Sequence, residues 1–266
     1  MRAKKSLGQH FLLHKQIAQR MVGVARVGAR DTVVEIGPGT GKLTDALLEK
    51  AKKVIALEAD KNLVTLLEKK YTHHISGGCL EVHHQDIRLF DPATITVPYV
   101  LVANIPYYLT SSILRQFLET NHQPERMVLL VQKEVAKRIA QDKKESILSV
   151  SVKIFGDPVY EFVVPRGAFF PAPSVDSAVL SIQNIYNPFE TQVVATSFFS
   201  VVRAGFSHKR KKLVNNLSAL SDAHTAQQAL ISSHIAPDAR AEDIPVEKWR
   251  LLAQHFPGQS STPQKK

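Results

Sequence analysis

The twelve residues "VVEIGPGTGKLT", Val33 to Thr44, decide how the chain is read. A β-branched apolar run leads to Glu35 and Ile36, glycines follow at 37, 39 and 41, and a helical pattern begins at Lys42. Glycines at a strand-to-helix junction permit a tight turn and let a ligand approach the main chain, and the free N–H groups of the helix start face that ligand. A Walker A loop is excluded: it needs four residues between its glycines and a Ser or Thr after the lysine. Here the spacing is one residue short and Leu43 follows Lys42.

Outward from this loop, from Asp31 to about Gln183, short β-branched runs alternate with longer amphipathic stretches. "TVVEI", "KKVIALE", "CLEVHH", "YVLVAN", "RMVLLVQ", "VYEFVV" and "SAVLSIQ" read as strands. "GKLTDALLEKA", "KNLVTLLEKKY", "TSSILRQFLET" and "KEVAKRIAQ" read as helices between them. The pattern predicts a Rossmann-like, mainly parallel seven-stranded sheet with helices on both faces. "ESILSVSVKIFG" fits either period and is assigned helix. After the break at "NIYNPFE" only helical spacing follows, so residues 186–257 form a small all-helical domain behind a catalytic domain of 1–185. The polar tail 258–266 is expected to lack fixed structure.

Two further strand ends sharpen the glycine loop. Glu58 closes the second strand, 17 positions after Gly41, where an acid can hold both hydroxyls of a ribose. Asp86 follows the third strand and can accept a hydrogen bond from an adenine amino group. The alternative for both acids is helix capping. NAD and S-adenosylmethionine (AdoMet) each fit a ribose-gripping acid. Glu35, just before the glycines, disfavours a pyrophosphate and suits a ligand with sulfonium and ammonium groups, so the balance favours AdoMet.

The fourth strand ends in "NIPYY", Asn104 to Tyr108. The Asn104 amide oxygen and the Ile105 carbonyl are acceptors for an exocyclic amine, Pro106 fixes the turn, and Tyr107 or Tyr108 offers a face to a planar base. Acceptors that draw an aromatic amine toward tetrahedral geometry localise its lone pair for in-line attack on a methyl group. Tyr108 is assigned to packing.

Composition narrows the partner. The 266 residues are 44% apolar with no stretch near the ~20 apolar residues of a membrane span, and the basic N-terminus lacks a signal core. The expectation is a cytoplasmic protein with no membrane segment. A single cysteine, Cys79, excludes an internal disulfide framework and thiolate metal sites, and the histidine pairs 73/74 and 83/84 have no ligand spacing around them, so no metal is expected. The net charge of +10 is clustered: seven Lys/Arg precede the first acid, Asp31, and "RAGFSHKRKK" holds Arg203, Lys209, Arg210, Lys211 and Lys212 without an acid. Such runs neutralise phosphates.

Together, "SLGQHFL", "VVEIGPGTGKLT", "ALEAD", "QDI", "NIPYY", "VQKEVAKRI", "AFFPAPSVDSAVL" and "FSHKRKKLVNNL" resemble the KsgA-type ribosomal RNA adenine dimethyltransferases over about residues 4 to 255. The resemblance implies a Class I AdoMet-dependent methyltransferase fold with a small helical C-terminal domain. It also implies methyl transfer to N6 of two adjacent adenines near the 3′ end of 16S rRNA in the 30S subunit; the protein itself is expected to be a monomer. By position it implies that His10 and Leu12 close over AdoMet with Gly37, that Glu58 holds the ribose and Asp86 the adenine, and that Asn104 adjoins the methyl group. Tyr107 and Phe169 would sandwich the flipped base. His10 stands where many members have Asn, and Ala172 where a third proline is common. Two alternatives are the related 23S rRNA adenine dimethylases of the macrolide-resistance type, which share "NIPY", and an assembly factor whose binding is separable from methylation. Cys79 is assigned to packing rather than to nucleophilic catalysis, and Asp176 to the turn before the last strand.

Overall fold

The computed structural model of the chain describes residues 8–256. Arg2, Lys4 and Lys5 of the first basic run, and the tail 258–266, lie outside the described residues. Two compact units are present: the described residues up to Ala140 with Gly156–Tyr186, and Gln141–Phe155 with the described residues from Asn187 onward.

In chain order the first unit contains β1 (Phe11–Leu12), α1 (Lys15–Val24), β2 (Thr32–Ile36), α2 (Lys42–Leu48), β3 (Lys53–Glu58), α3 (Lys61–Lys70), α4 (Thr72–Ser76), β4 (Leu80–His84), β5 (Tyr99–Asn104), α5 (Thr110–Leu118), β6 (Arg126–Gln132) and α6 (Lys133–Ala140). The chain then enters the second unit with α7 (Ile147–Lys153) and returns for β7 (Asp157–Val164), β8 (Phe169–Phe170) and β9 (Ser177–Gln183). The second unit continues with α8 (Gln192–Gly205), α9 (Leu213–Leu217), α10 (Ala223–Ser232) and α11 (Val246–Ala253).

The seven strands read from the sequence form one sheet in the order β4-β3-β2-β5-β6-β9-β7. Neighbours from β4 to β6 are parallel, and β9 runs antiparallel between β6 and β7. The central β5 is buried along nearly its whole length, as a parallel strand covered on both faces must be. Edge strand β4 carries the exposed His83 and His84, and edge strand β7 shifts register between Tyr160 and Phe162. Among the described residues no helix is long and apolar enough to cross a membrane.

Register brings the chemistry to one edge. Ile36 of β2 pairs with Leu57 of β3 and with Ala103 of β5, so the next residues, Gly37, Glu58 and Asn104, stand in a row at the carboxyl ends. Because β9 is antiparallel, its first residue, Ser177, pairs with Gln132 and Val164 and lies at that same edge. A second, two-stranded ribbon of β1 and β8 pairs Phe11 with Phe170 and Leu12 with Phe169.

The segment 141–155, which the sequence pattern grouped with the first domain, packs in the helical unit. Its helix α7 begins with a capping box in which Ser146 and Ser149 satisfy each other's main-chain N–H groups. Phe155 meets Phe189 and Phe199 edge-on and stacked, respectively. Within the same unit the indole of Trp249 is fully buried and stacks on Phe206 with 5.3 Å between ring centres. A β-carbon on Gly205 would come within 2.4 Å of that indole, so the helix can pass only as glycine.

Candidate active site

The carboxyl edge of the sheet opens into a pocket walled by the β1 segment, the glycine loop, the ends of β3 and β5, and the turn at Asp86. His10, Leu12, Gly37, Glu58, Asp86, Asn104 and Tyr107 all line it. Phe169 does not.

The glycine loop is held from three sides. The Gly37 N–H donates to the Leu57 carbonyl at 2.9 Å, and the Gly39 N–H donates to Glu58 Oε2 at 3.1 Å. Gly39 sits at φ +60°, where a β-carbon would touch the Phe11 ring at 3.0 Å. The C-terminal side is clamped by Tyr71, whose hydroxyl lies 2.7 Å from both the Gly41 carbonyl and Asp45 Oδ1 and donates to one at a time. Lys70 closes this clamp with bonds to Asp45 Oδ2 at 3.0 Å and to the Thr40 carbonyl at 3.3 Å.

The two acids differ in their surroundings. Glu58 is buried; its Oε1 accepts from the Asp60 N–H at 2.9 Å while Oε2 takes Gly39. Burial raises its pKa above the ordinary carboxylate value, and these N–H donors oppose the rise. The helix cap is Asp60, which accepts from the Asn62 N–H, so Glu58 remains pointed at the pocket with further lone pairs on each oxygen for ligand hydroxyls. Asp86 does cap: it accepts from the Arg88 N–H at 2.9 Å and pairs with both sides of the Arg88 guanidinium. The Arg88 side chain, and after it the Arg88 N–H, hold the Asp86 carboxyl below its usual range.

Glu35 departs from the electrostatic reading of the sequence. It is 1% exposed, is absent from the pocket wall, and accepts a 2.7 Å bond from Thr44 on Oε2, while Oε1 has no partner. Burial pushes its pKa up to about 8, so it is uncharged at neutral pH and supplies no counter-charge to a bound cation.

Asn104 ends β5 with its side chain fixed. A carbonyl only accepts, so the 3.1 Å contact with the His10 carbonyl must come from Asn104 Nδ2. The amide oxygen is therefore the free acceptor. The His10 ring in turn donates from Nδ1 to the Pro171 carbonyl at 2.7 Å and lies nearly parallel to Tyr107, 5.8 Å between centres. Tyr107 is anchored through its hydroxyl to Ser177 Oγ at 2.7 Å, and burial keeps this phenol un-ionised. Asp176 ties the turn before β9 by accepting from the Arg166 N–H.

Phe169 is buried beside the pocket-lining Leu12. In paired strands, partners share a face; Phe169 lies opposite Leu12 and is packed in the core at 3% exposure. Its neighbour Phe170 lies opposite Phe11 and is 61% exposed. Tyr108, assigned to packing, is largely exposed, with its ring where a β-carbon on Gly8 would meet it at 3.2 Å. In the helical unit, Lys209, Arg210, Lys211 and Lys212 are all exposed on the loop from α8 to α9, and Arg203 is exposed on α8. Buried Asn216 holds that loop by donating to the carbonyls of Gly205 and His208. Among the described residues no group of three His, Cys, Asp or Glu side chains is placed to hold a metal ion.

The family model for ribosomal RNA adenine dimethylase matches residues 1–256. The chain belongs to this family. Among curated relatives, "Ribosomal RNA small subunit methyltransferase A" of Dehalococcoides mccartyi is 42% identical, covering 95% of this chain and 88% of that protein. The protein of the same name from Fusobacterium nucleatum is 36% identical, covering 96% and 98%. Solved structures with the same fold include a dimethyladenosine transferase from Plasmodium falciparum (26% identity, TM-score 0.76, covering 93% and 97%). The 23S rRNA methyltransferase ErmE is also similar (26% identity, TM-score 0.74, covering 92% and 99%).

As a family member the chain is a Rossmann-like, AdoMet-dependent rRNA adenine dimethyltransferase. The pocket fits that cofactor: the glycine loop leaves its main chain open, and Glu58 offers paired acceptors to vicinal hydroxyls. Sequence reading missed Tyr71, Ser177 and Asn216, each joined to its partner only by folding.

Two outcomes follow from this geometry. Tyr71→Phe should raise the AdoMet Kd about 5- to 10-fold by calorimetry, the loss of about one hydrogen bond, with kcat at saturating AdoMet within about twofold of wild type. Glu35 should make the enzyme less stable as pH rises. Below about pH 4.5 the group is protonated folded and unfolded; between about 4.5 and 8 only the unfolded chain releases the proton, and stability falls; above 8 the loss levels off. In urea titrations Glu35→Gln should lessen this fall, on the order of a few kcal/mol, and parallel curves for the two proteins would refute it.

Proposed function

We propose that this enzyme transfers methyl groups from AdoMet to N6 of two adjacent adenines near the 3′ end of 16S rRNA within the 30S subunit, acting as a cytoplasmic monomer. The observation that carries the reading is the oriented Asn104 amide, whose nitrogen is taken by the His10 carbonyl and which lines the pocket with Ile105 and Tyr107. The small-subunit assignment is supported by relatives of that name at 42% and 36% identity, against 26% for ErmE.

In this reading Glu58 grips the ribose, and Asp86, already held by Arg88, accepts from the cofactor adenine amine. AdoMet would supply an electrophilic methyl group on a sulfonium; as the N–C bond forms the C–S bond breaks, its electron pair stays on sulfur as the thioether of S-adenosylhomocysteine, and the proton then lost from nitrogen goes to water. Asn104 Oδ1 accepts from the target amine and favours the pyramidal nitrogen, whose lone pair then points at the methyl carbon. The amine needs no base before transfer, because its proton becomes acidic only once the nitrogen carries the new methyl. Tyr107, braced by Ser177, gives the flipped adenine a flat apolar face. The exposed loop with Lys209, Arg210, Lys211 and Lys212, with Arg203 nearby in sequence, contacts rRNA phosphates.

The test is transfer of labelled methyl to purified 30S particles lacking the modification, followed by mass spectrometry of the rRNA digest. Two dimethyladenosines in 16S rRNA are expected; preferential methylation of naked 23S rRNA would overturn the small-subunit assignment. Replacing Lys209, Arg210, Lys211 and Lys212 by Ala should weaken binding and flatten the plot of log affinity against log salt by about 0.7–0.9 for each phosphate no longer neutralised. An unchanged slope would remove this loop from the interface.

A further inference from the structure

We propose that Phe170 is a stacking platform for the nucleotide adjoining the target adenine, a role that rests on the rRNA reading above. The register of the short ribbon sets its orientation. Phe169 faces the core beside Leu12, and Phe170 shares the opposite face with Phe11, the residue whose ring covers Gly39 in the pocket wall.

A single exposed apolar residue is ordinary on a protein surface. Phe170 differs in how rigidly it is presented. Its strand is paired to β1, the Leu13 N–H donates to the Ala168 carbonyl at 2.9 Å on one side, and the Pro171 carbonyl accepts from His10 at 2.7 Å on the other. An aromatic ring held on a fixed main chain loses little freedom when a flat partner covers it.

Its position selects the partner. The His10 imidazole bonds the Pro171 carbonyl and lies against Tyr107, so the main chain that carries Phe170 is tied through His10 to the wall that carries Tyr107. Tyr107 belongs to the slot of the reacting base; Phe170 is exposed outside the pocket wall, opposite Phe11, which lines it. A base rotated into the slot leaves its neighbour in the strand with an uncovered face. Aromatic side chains cover such faces whatever the base, and an adjoining adenine presents a large one.

The experiment compares wild type with Phe170→Ala, Phe170→Leu and Phe170→Trp on unmodified 30S particles. Tyr186→Ala, an exposed aromatic just beyond the far end of β9, is the control. Loss of the ring in Ala and Leu should raise KM for the particle about 5- to 100-fold, with AdoMet affinity unchanged, and Trp should restore it. A short RNA carrying 2-aminopurine next to the target adenine should show quenching with wild type and Trp but not with Ala or Leu. A KM within twofold of wild type in the Ala variant, or rescue by Leu as complete as by Trp, would overturn the proposal. So would a matching loss of AdoMet affinity that Trp leaves unrepaired, because that marks a structural role. If wild type itself modifies no small-subunit rRNA, the failure belongs to the functional reading and the proposal falls with it.

Discussion

The bond from Asn104 Nδ2 to the His10 carbonyl joins the two parts of the chain that make the site. One end is the last residue of a strand buried in the middle of the sheet, and the other is a short segment before β1 with no place in that sheet. The bond turns the amide so that its oxygen is free, and it sets the His10 backbone from which the ring reaches both Tyr107 and Pro171. Without it the amide has no fixed sense, and the segment leading into β1 loses its hydrogen bond to the end of β5. A neutral hydrogen bond of this kind contributes about 1 kcal/mol to stability, so its weight lies in orientation.

Around that bond the cofactor side of the pocket is preorganised by backbone donors rather than by side-chain pairs. Glu58 accepts one N–H on each oxygen, and these links connect β3 to the glycine loop and to the start of α3 before any ligand arrives. Glu35 has the contrary arrangement: one oxygen bonded to Thr44, one without a partner, no solvent. Two acids at neighbouring strand ends thus differ in their work, since Glu58 faces the pocket and Glu35 is a neutral strut beneath it.

The sequence disclosed the sheet well because its strands are continuous apolar runs separated by amphipathic helices, and it disclosed the strand-end residues because parallel strands present their last positions at one edge. It disclosed less where identity depends on a distant partner. β1 and β8 are two residues each, too short for any periodicity, and only their pairing tells which of Phe169 and Phe170 faces inward. Ser177 is unremarkable until β9 runs antiparallel and brings it to Tyr107. Glu58 and Asp86 looked alike as capping candidates; the difference came from Asp60, two residues on, taking the cap in one case and Arg88 engaging the acid in the other. The charge of Glu35 was misjudged because one-dimensional patterns carry no measure of burial.

The excursion through α7 bears on how this architecture can be cut or recombined. The polypeptide passes from one unit to the other three times, after residues 140, 155 and 186. A stop codon placed at the apparent boundary would therefore strand α7, leaving Val150, Val152 and Phe155 as an orphaned greasy segment grafted into an otherwise complete enzyme core. Exchange of the helical unit between homologues demands that both of its segments, 141–155 and the one from Asn187 onward, be replaced together.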